Sequence, residues 1–415
     1  MIKRIILKNK LTVILDQNKS KYRVTANIYI KAGSLDNDFK IDGKLYHVNV
    51  GTAHVLEHYL IEQSVYGNID KIFADDYISS NGVTSCNTTS YYMSTVHDFK
   101  KNFIKLLNIV NKPVFQEEKL DIVKKPIIQE IKMTNDRPGK LFSDTFLENI
   151  YQTKIKDIGL GTQEDLTKIN IEDLKKFHQA FYRPENQIIA IVGNFDDDII
   201  EIIEEEYKKF TFEEFTVEKC RKKEKPEVVL KYQEINDESI PEECLEIGYK
   251  IDFSSLKPIE RNKLDYYFNY LFENNFSERT DLFNQLFKDR KISYSIEGYF
   301  TPNIIPNMLV WSFRIYTKNY NEVIKILQNQ ISNFLIDEKT FSRWKNNTII
   351  EKINMEENFE NNIHNFINNI FLYDLYEVDT MEFIKNLNIK ECRRLLEKID
   401  FSNYTILINE KKSHQ

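Results

Sequence analysis

The chain has 415 residues, 41% hydrophobic and 29% charged, with only 11 Gly and 9 Pro. That length suits two or more domains with real cores, and the composition excludes a disordered or collagen-like chain. A formal net charge of −7, spread along the sequence, points away from nucleic acid and from an anionic membrane surface as partners.

MIKRIILKNKLTVILDQ opens the chain. Lys8, Lys10 and Asp16 interrupt its apolar runs, so it reads as two strands joined at Asn9-Lys10 rather than as a signal segment. In RVTANIYIKAGS, Val24, Ala26, Ile28 and Ile30 alternate, the mark of a half-buried strand. GTAHVLEHYL (51–60) follows. At about 100° per residue His54, Glu57 and His58 share one sector of a helix, while Val55, Leu56, Tyr59 and Leu60 take the opposite one. Imidazoles at i and i+4 both reach one ion, and zinc takes nitrogen ligands at about 2.0–2.1 Å. Glu57 stands beside them, where it can take a proton from water. The same spacing also fits a solvated helix face that carries two histidines.

FIKLLNIVNKPVF (103–115) and PIIQEIKM (126–133) read as helices, with Pro126 in a first turn. GLGT (159–162) lacks the lysine of a phosphate loop. LKKFHQAFYRPENQIIAIVGNFD (174–196) reads helix, short loop and apolar strand ending at Gly193. The charged stretch 212–228 has the strongest linker composition, and its run CRKKEKPE (220–227) reads as solvated rather than as a polyanion patch. Beyond it, KLDYYFNYLFENNF and DLFNQLFKD read as helices and MLVWSFRIYT (308–317) as a strand. IKECRRLLEKIDFSNYTILIN (389–409) repeats the helix–loop–strand order, with Asn403 placed 217 residues after Asn186. The fold expected is α+β: two similar domains, each a mostly antiparallel sheet with helices on one face. They span 1–210 and 231–415, joined by a charged linker at 211–230.

His364 and His414 stand alone in the second half, so a single metal site belongs to the first domain. A catalytic zinc takes three protein ligands and leaves one position for water. His47, His97 and His178 are available as the third ligand. Glu130 is the better candidate, since Ile127, Ile128 and Ile131 would pack its helix into the same core, although a solvated helix acid fits the local pattern too. The four cysteines form no C-x-x-C pair, which fits a reducing compartment. No run reaches the roughly 20 apolar residues of a membrane span, so a soluble cytoplasmic protein is expected.

Taken in order, KAGSLDND, GTAHVLEHYL, GVTSCNTTSYYMSTV, IIQEIKMTNDRP and IGLGTQEDLTKINIEDLKKFHQAFYRPENQIIAIVGNFD cover most of residues 25–196. This series resembles the inverted-zincin family of insulinase, pitrilysin and the mitochondrial processing peptidases, in its short two-domain form. The second half matches more thinly, around DLFNQLFKDRKISYSIEG. The resemblance implies His54, His58 and Glu130 as Zn2+ ligands and Glu57 as general base. It implies that a strand near Ser85, Cys86, Asn87 and Thr88 pairs with an extended peptide substrate. It also implies two domains forming half of a clamshell chamber, and hence a partner chain.

Three departures from the family pattern stand out. Val123 occupies the place of a further acid seven residues before the third ligand, for which Asp121 or Glu118 are the stand-ins. Pro126 interrupts a helix that is usually continuous. Active partners present an Arg seven residues before a Tyr; Tyr294 fits the Tyr, but the Arg position is Phe287, and Arg290 lies only four residues before Tyr294. The function expected is a zinc metalloendopeptidase of peptides or small unfolded proteins, with maturation of one specific peptide left open. The alternative is a non-catalytic peptide-binding or assembly subunit. As partner, Phe287 favours a heterodimer with a zinc-less homologue over a homodimer that uses its own Tyr294.

Overall fold

The computed structural model describes residues 2–155, 159–302, 304–357, 367–373, 375 and 379–411. They group into two compact units. The first holds Met1–Asn135 and Asp157–Lys222, and the second holds Asp136–Lys156, Lys223–Asn358 and Asn365–Gln415. These clusters part from domains of 1–210 and 231–415 in two places: residues 136–156 group with the second unit, and the stretch 211–230 divides between the units after Lys222.

In the first unit, β1 (Lys3–Ile6) and β2 (Thr12–Gln17) form the hairpin read around Asn9-Lys10, with Lys10 left-handed at φ 68°. Then come β3 (Val24–Ile30), β4 (Asp38–Ile41), β5 (Lys44–His47), α1 (Thr52–Glu62), α2 (Ile69–Asp75), β6 (Ser79–Thr84) and β7 (Thr89–Thr95). α3 (Phe99–Asn111) and α4 (Glu117–Asn135) follow. With α5 lying in the second unit, the first resumes at α6 (Gln163–Lys168), α7 (Ile171–Phe181), β8 (Gln187–Gly193), α8 (Ile199–Tyr207) and β9 (Val217–Lys219).

Six strands make one sheet in the order β1-β2-β8-β3-β7-β6, antiparallel throughout except for β2 beside β8. The alternating Val24, Ala26, Ile28 and Ile30 of β3 do enter the core, where they join Val55, Leu56 and Tyr59 of α1 and Phe103 and Leu107 of α3.

In the second unit, α5 (Lys140–Ile150) precedes β10 (Tyr232–Ile235), β11 (Cys244–Asp252), α9 (Pro258–Asn275), α10 (Asp281–Lys288), β12 (Glu297–Pro302) and β13 (Met308–Tyr316). α11 (Tyr320–Ser332), α12 (Glu338–Glu357), α13 (Thr380–Asn386), α14 (Ile389–Leu396) and β14 (Tyr404–Asn409) complete it. The sheet order is β10-β14-β11-β13-β12, again with one parallel pair, β10 beside β14. Strand for strand this repeats β2-β8-β3-β7-β6. The repeat reaches single bonds: Lys31 N–H donates to the Asn186 carbonyl, and Lys250 N–H donates to that of Asn403. Its own core gathers Leu264, Tyr267, Phe268 and Leu271 of α9 with Trp311 and Phe313 of β13.

Two expectations change. α4 does not begin at Pro126 but runs unbroken from Glu117, with Pro126 inside it. Buried Leu120, Val123, Ile127 and Ile131 recur at helical spacing on both sides of the proline and carry the helix through it. The carbonyl that loses its partner belongs to Ile122, whose exposed side chain marks the solvent side of the helix.

The charged run at 220–227 is not wholly solvated either. In the first unit, Arg221 donates through Nε and Nη2 to Asp36, which is fully buried, and through Nη1 to Asn87. In the second, buried Glu224 accepts from buried Lys250 Nζ at 2.8 Å and from the N–H groups of Gln152 and Thr153. The buried charges among these, Asp36, Glu224 and Lys250, are each paired and hydrogen-bonded, as charges withdrawn from water need to be. Among the described residues no helix is long and apolar enough to cross a membrane.

Candidate metal centre

The helix that carries the two histidines is buried nearly all round. The alternative reading of the spacing, a solvated helix face, does not hold: His54 is 7% and Glu57 4% exposed. Only His58 and Glu62 keep partial access. Gly51 starts α1 at φ 90°, and a Cβ there would lie 2.9 Å from the Leu160 carbonyl, so the GLGT segment packs on the helix start. Tyr59, one residue past the motif, donates through its hydroxyl to the Val114 carbonyl and accepts from Gln116 N–H. That ties α1 to the loop leading into α4.

α4 then presents Glu130 to α1. Its Oε2 lies 3.6 Å from His54 Nε2 and 3.8 Å from His58 Nε2. One ligand atom from each of the three residues falls within 4.8 Å of the others. Tetrahedral ligation at about 2.0–2.1 Å sets ligand atoms roughly 3.3–3.4 Å apart, so small side-chain shifts would seat an ion. Two imidazoles and a carboxylate also match the chemistry of a catalytic zinc set, which needs an open fourth position.

Burial, with the neighbouring His58 ring adding to it, pushes the His54 pKa down to about 3, which keeps it neutral and available as a ligand. Burial also works against charge on His58, but Glu62, Glu57 and Glu130 together hold its pKa above the ordinary value. Burial raises the Glu57 pKa, opposed by the hydrogen bond from Thr84.

Sequence reasoning missed three residues around this cluster. Thr84 Oγ1 donates to Glu57 Oε2 at 2.8 Å. Gly82 leaves room for the same carboxylate, since a Cβ there would sit 2.4 Å from Glu57 Oε1. Glu62 Oε1 accepts from His58 Nδ1 at 3.2 Å. The first two reach Glu57 where β6 packs on α1, a tertiary contact that no local pattern encodes; Glu62, one helical turn beyond His58, was in plain view.

Among the described residues the other histidines are engaged elsewhere, while His364 and His414 lie outside the described residues. His47 pairs with Asp38 at 2.7 Å, His97 Nε2 donates to the Asp76 carbonyl, and His178 Nε2 donates to the Val110 carbonyl.

Ser85, Cys86, Asn87 and Thr88 are not an edge strand but the tight turn between β6 and β7. Ser85 N–H donates to the Thr88 carbonyl, and the Ser85 and Cys86 carbonyls accept from Ser34 and Leu35 N–H. These backbone groups are thus already engaged, and the strand that ends the sheet on this side is β6, just before them. The stand-ins for the acid at Val123 also fall away: Asp121 and Glu118 are exposed and Val123 is fully buried. In the second unit, Tyr294 is exposed and donates to Glu242 at 2.5 Å, Phe287 stacks on Phe283, and Arg290 sits left-handed at φ 56°.

Comparison with known proteins adds the following. The family model described as "Insulinase (Peptidase family M16)" matches residues 12–163, and "Peptidase M16 inactive domain" matches residues 168–348. The chain is 29% identical over 302 residues to "Uncharacterized zinc protease YmfH" of Bacillus subtilis, covering 71% of this chain and 70% of that one. It is 25% identical over 211 residues to "Uncharacterized zinc protease YmxG" of the same organism, 49% of each.

Among solved structures, a putative M16-like peptidase from Alicyclobacillus acidocaldarius superposes with TM-score 0.87 at 20% identity, covering 98% of this chain and 97% of that one. Pitrilysin gives TM-score 0.69 at 16% identity, covering 100% of this chain but 45% of its own.

Proposed function

This chain belongs to the insulinase family, peptidase family M16, and from that premise we propose that it is a zinc-dependent endopeptidase acting on extended peptides or small unfolded proteins. The observation that carries the reading is the convergence of His54, His58 and Glu130 beside the buried carboxylate of Glu57. The two histidines and Glu130 would hold the ion, which when bound supplies Lewis acidity.

The chain's own groups do the rest. Glu57, turned by Thr84, takes the proton of the attacking water and returns it to the leaving amine. Burial raises its pKa above the ordinary carboxylate value, the direction that makes it a stronger proton acceptor. The terminal strand β6 runs against Glu57 through Gly82 and Thr84, and an extended peptide paired with it would lay its backbone across the site.

A non-catalytic assembly subunit has no use for both histidines and both glutamates, and all four are kept. The fold corresponds to about half of pitrilysin, which supports a reading in which a second half of similar build faces this one across a chamber. With Phe287 unable to donate as a guanidinium would, we favour a zinc-less homologue as that partner over a second copy using Tyr294. Cleavage of an unstructured peptide by the zinc-loaded protein, assembled with that partner where one is required, should vanish in Glu57→Gln without loss of the metal. A Glu57→Gln protein that cleaves at the wild-type rate removes the proposed base.

A further inference from the structure

His58 divides its two ring nitrogens between two acids. Nε2 faces Glu130 on α4, and Nδ1 donates to Glu62, one turn further along α1. His54 has no such arrangement: its Nδ1 is buried without a hydrogen-bond partner. Nor does α4 offer an acid for the purpose, with Val123 buried and apolar and Glu118 and Asp121 turned to solvent.

An imidazole that binds metal through Nε2 carries its proton on Nδ1. A carboxylate accepting that proton fixes the tautomer, sets the ring plane and strengthens Nε2 as a donor. Resting on the zinc reading above, we propose that Glu62 is the positioning residue of the metal centre, orienting His58 from within the same helix. Side-chain exposures of 24% for His58 and 19% for Glu62 keep the pair largely out of water, where such a bond is strongest. The centre is therefore lopsided, with one imidazole fixed at Nδ1 by an acid and the other buried at Nδ1 without a hydrogen-bond partner.

A plain i,i+4 helix pair would affect folding and leave the metal alone, so the two roles separate by experiment. Zinc affinity is measured by competition with a chromophoric chelator, for the wild-type chain and for Glu62→Ala, alongside thermal unfolding of the metal-free proteins. The expected result is one zinc per chain in both, with affinity lowered about 10- to 100-fold in Glu62→Ala and metal-free unfolding little changed. If Glu62→Ala does not fold, Glu62→Met, a good helix former of similar length without a strong acceptor, is read in its place. Wild-type zinc affinity in the folded variant overturns the role of Glu62 and leaves the metal reading standing. A wild-type chain that takes up no zinc overturns both.

Discussion

His178, one of the alternatives to Glu130 in the sequence, stacks on Tyr182 with ring centroids 4.5 Å apart and donates to the Val110 carbonyl. Burial pushes its pKa down to about 4. The unfolded chain takes up a proton near pH 6.5 while the folded chain resists it until about pH 4. Stability present above pH 6.5 is therefore lost as pH falls through that window, by at most roughly 3 kcal/mol. His178→Gln keeps an N–H donor for Val110 but cannot titrate. Denaturant unfolding from pH 7.5 to 4 should show the wild-type advantage over His178→Gln shrinking below pH 6.5. An advantage independent of pH would show that His178 is not held neutral by the fold.

The motif itself was legible because His54, Glu57 and His58 lie within two turns of one helix. The third ligand was not decidable from spacing: the apolar neighbours of Glu130 favoured it over His47, His97 and His178, but a solvated helix acid fitted the same local pattern. Only the packing of α4 on α1, with the hydrogen bonds that occupy the three histidines, separates them.

At the level of elements, β6 is the strand on which substrate binding would depend. From the Ser85–Thr88 bond, the alternation of an antiparallel ladder turns the backbone groups of Gly82 and Thr84 away from β7, towards the open edge. Gly82 N–H is met there by its own neighbour, Asn81 Oδ1. A peptide bound by strand addition should thus feel backbone N-methylation with a period of two. Methylation at alternate positions near the cleaved bond should lower kcat/KM about 10-fold or more, at roughly 1.5 kcal/mol per lost hydrogen bond, and intervening positions should tolerate it. Equal sensitivity at successive positions would count against strand addition.

The sequence pointed one step too far along, to Ser85–Thr88, because a polar Ser-Cys-Asn-Thr stretch continues β6 in composition and only the paired carbonyls mark it as a turn. Pro126 misled in the opposite direction. Its preference for a first turn is real, but the apolar spacing of Leu120, Val123, Ile127 and Ile131 outweighs it.

Across the whole molecule, the two units share a five-strand order that the Asn186–Asn403 correspondence foreshadowed. What composition did not reveal is where residues 136–156 belong, since grouping with the second unit is a matter of tertiary contact. Nor did it show that Arg221 and Glu224 would each pair with a buried charge, because their partners Asp36 and Lys250 are remote in sequence. The partner proposal makes its own demand: activity of the chain alone should be low and should rise on adding a zinc-less homologue that carries the Arg–Tyr pair. Full activity from the pure chain, lost in Tyr294→Phe, would favour the homodimer.

Beneath all of this lies the claim that His54, His58 and Glu130 form one zinc site, and the direct measurement is metal content after dialysis against trace zinc. The wild-type chain should retain about one zinc, and His58→Ala and Glu130→Gln should retain little or none while still folding. Full retention by Glu130→Gln, or no zinc in the wild-type chain, would contradict the site as drawn.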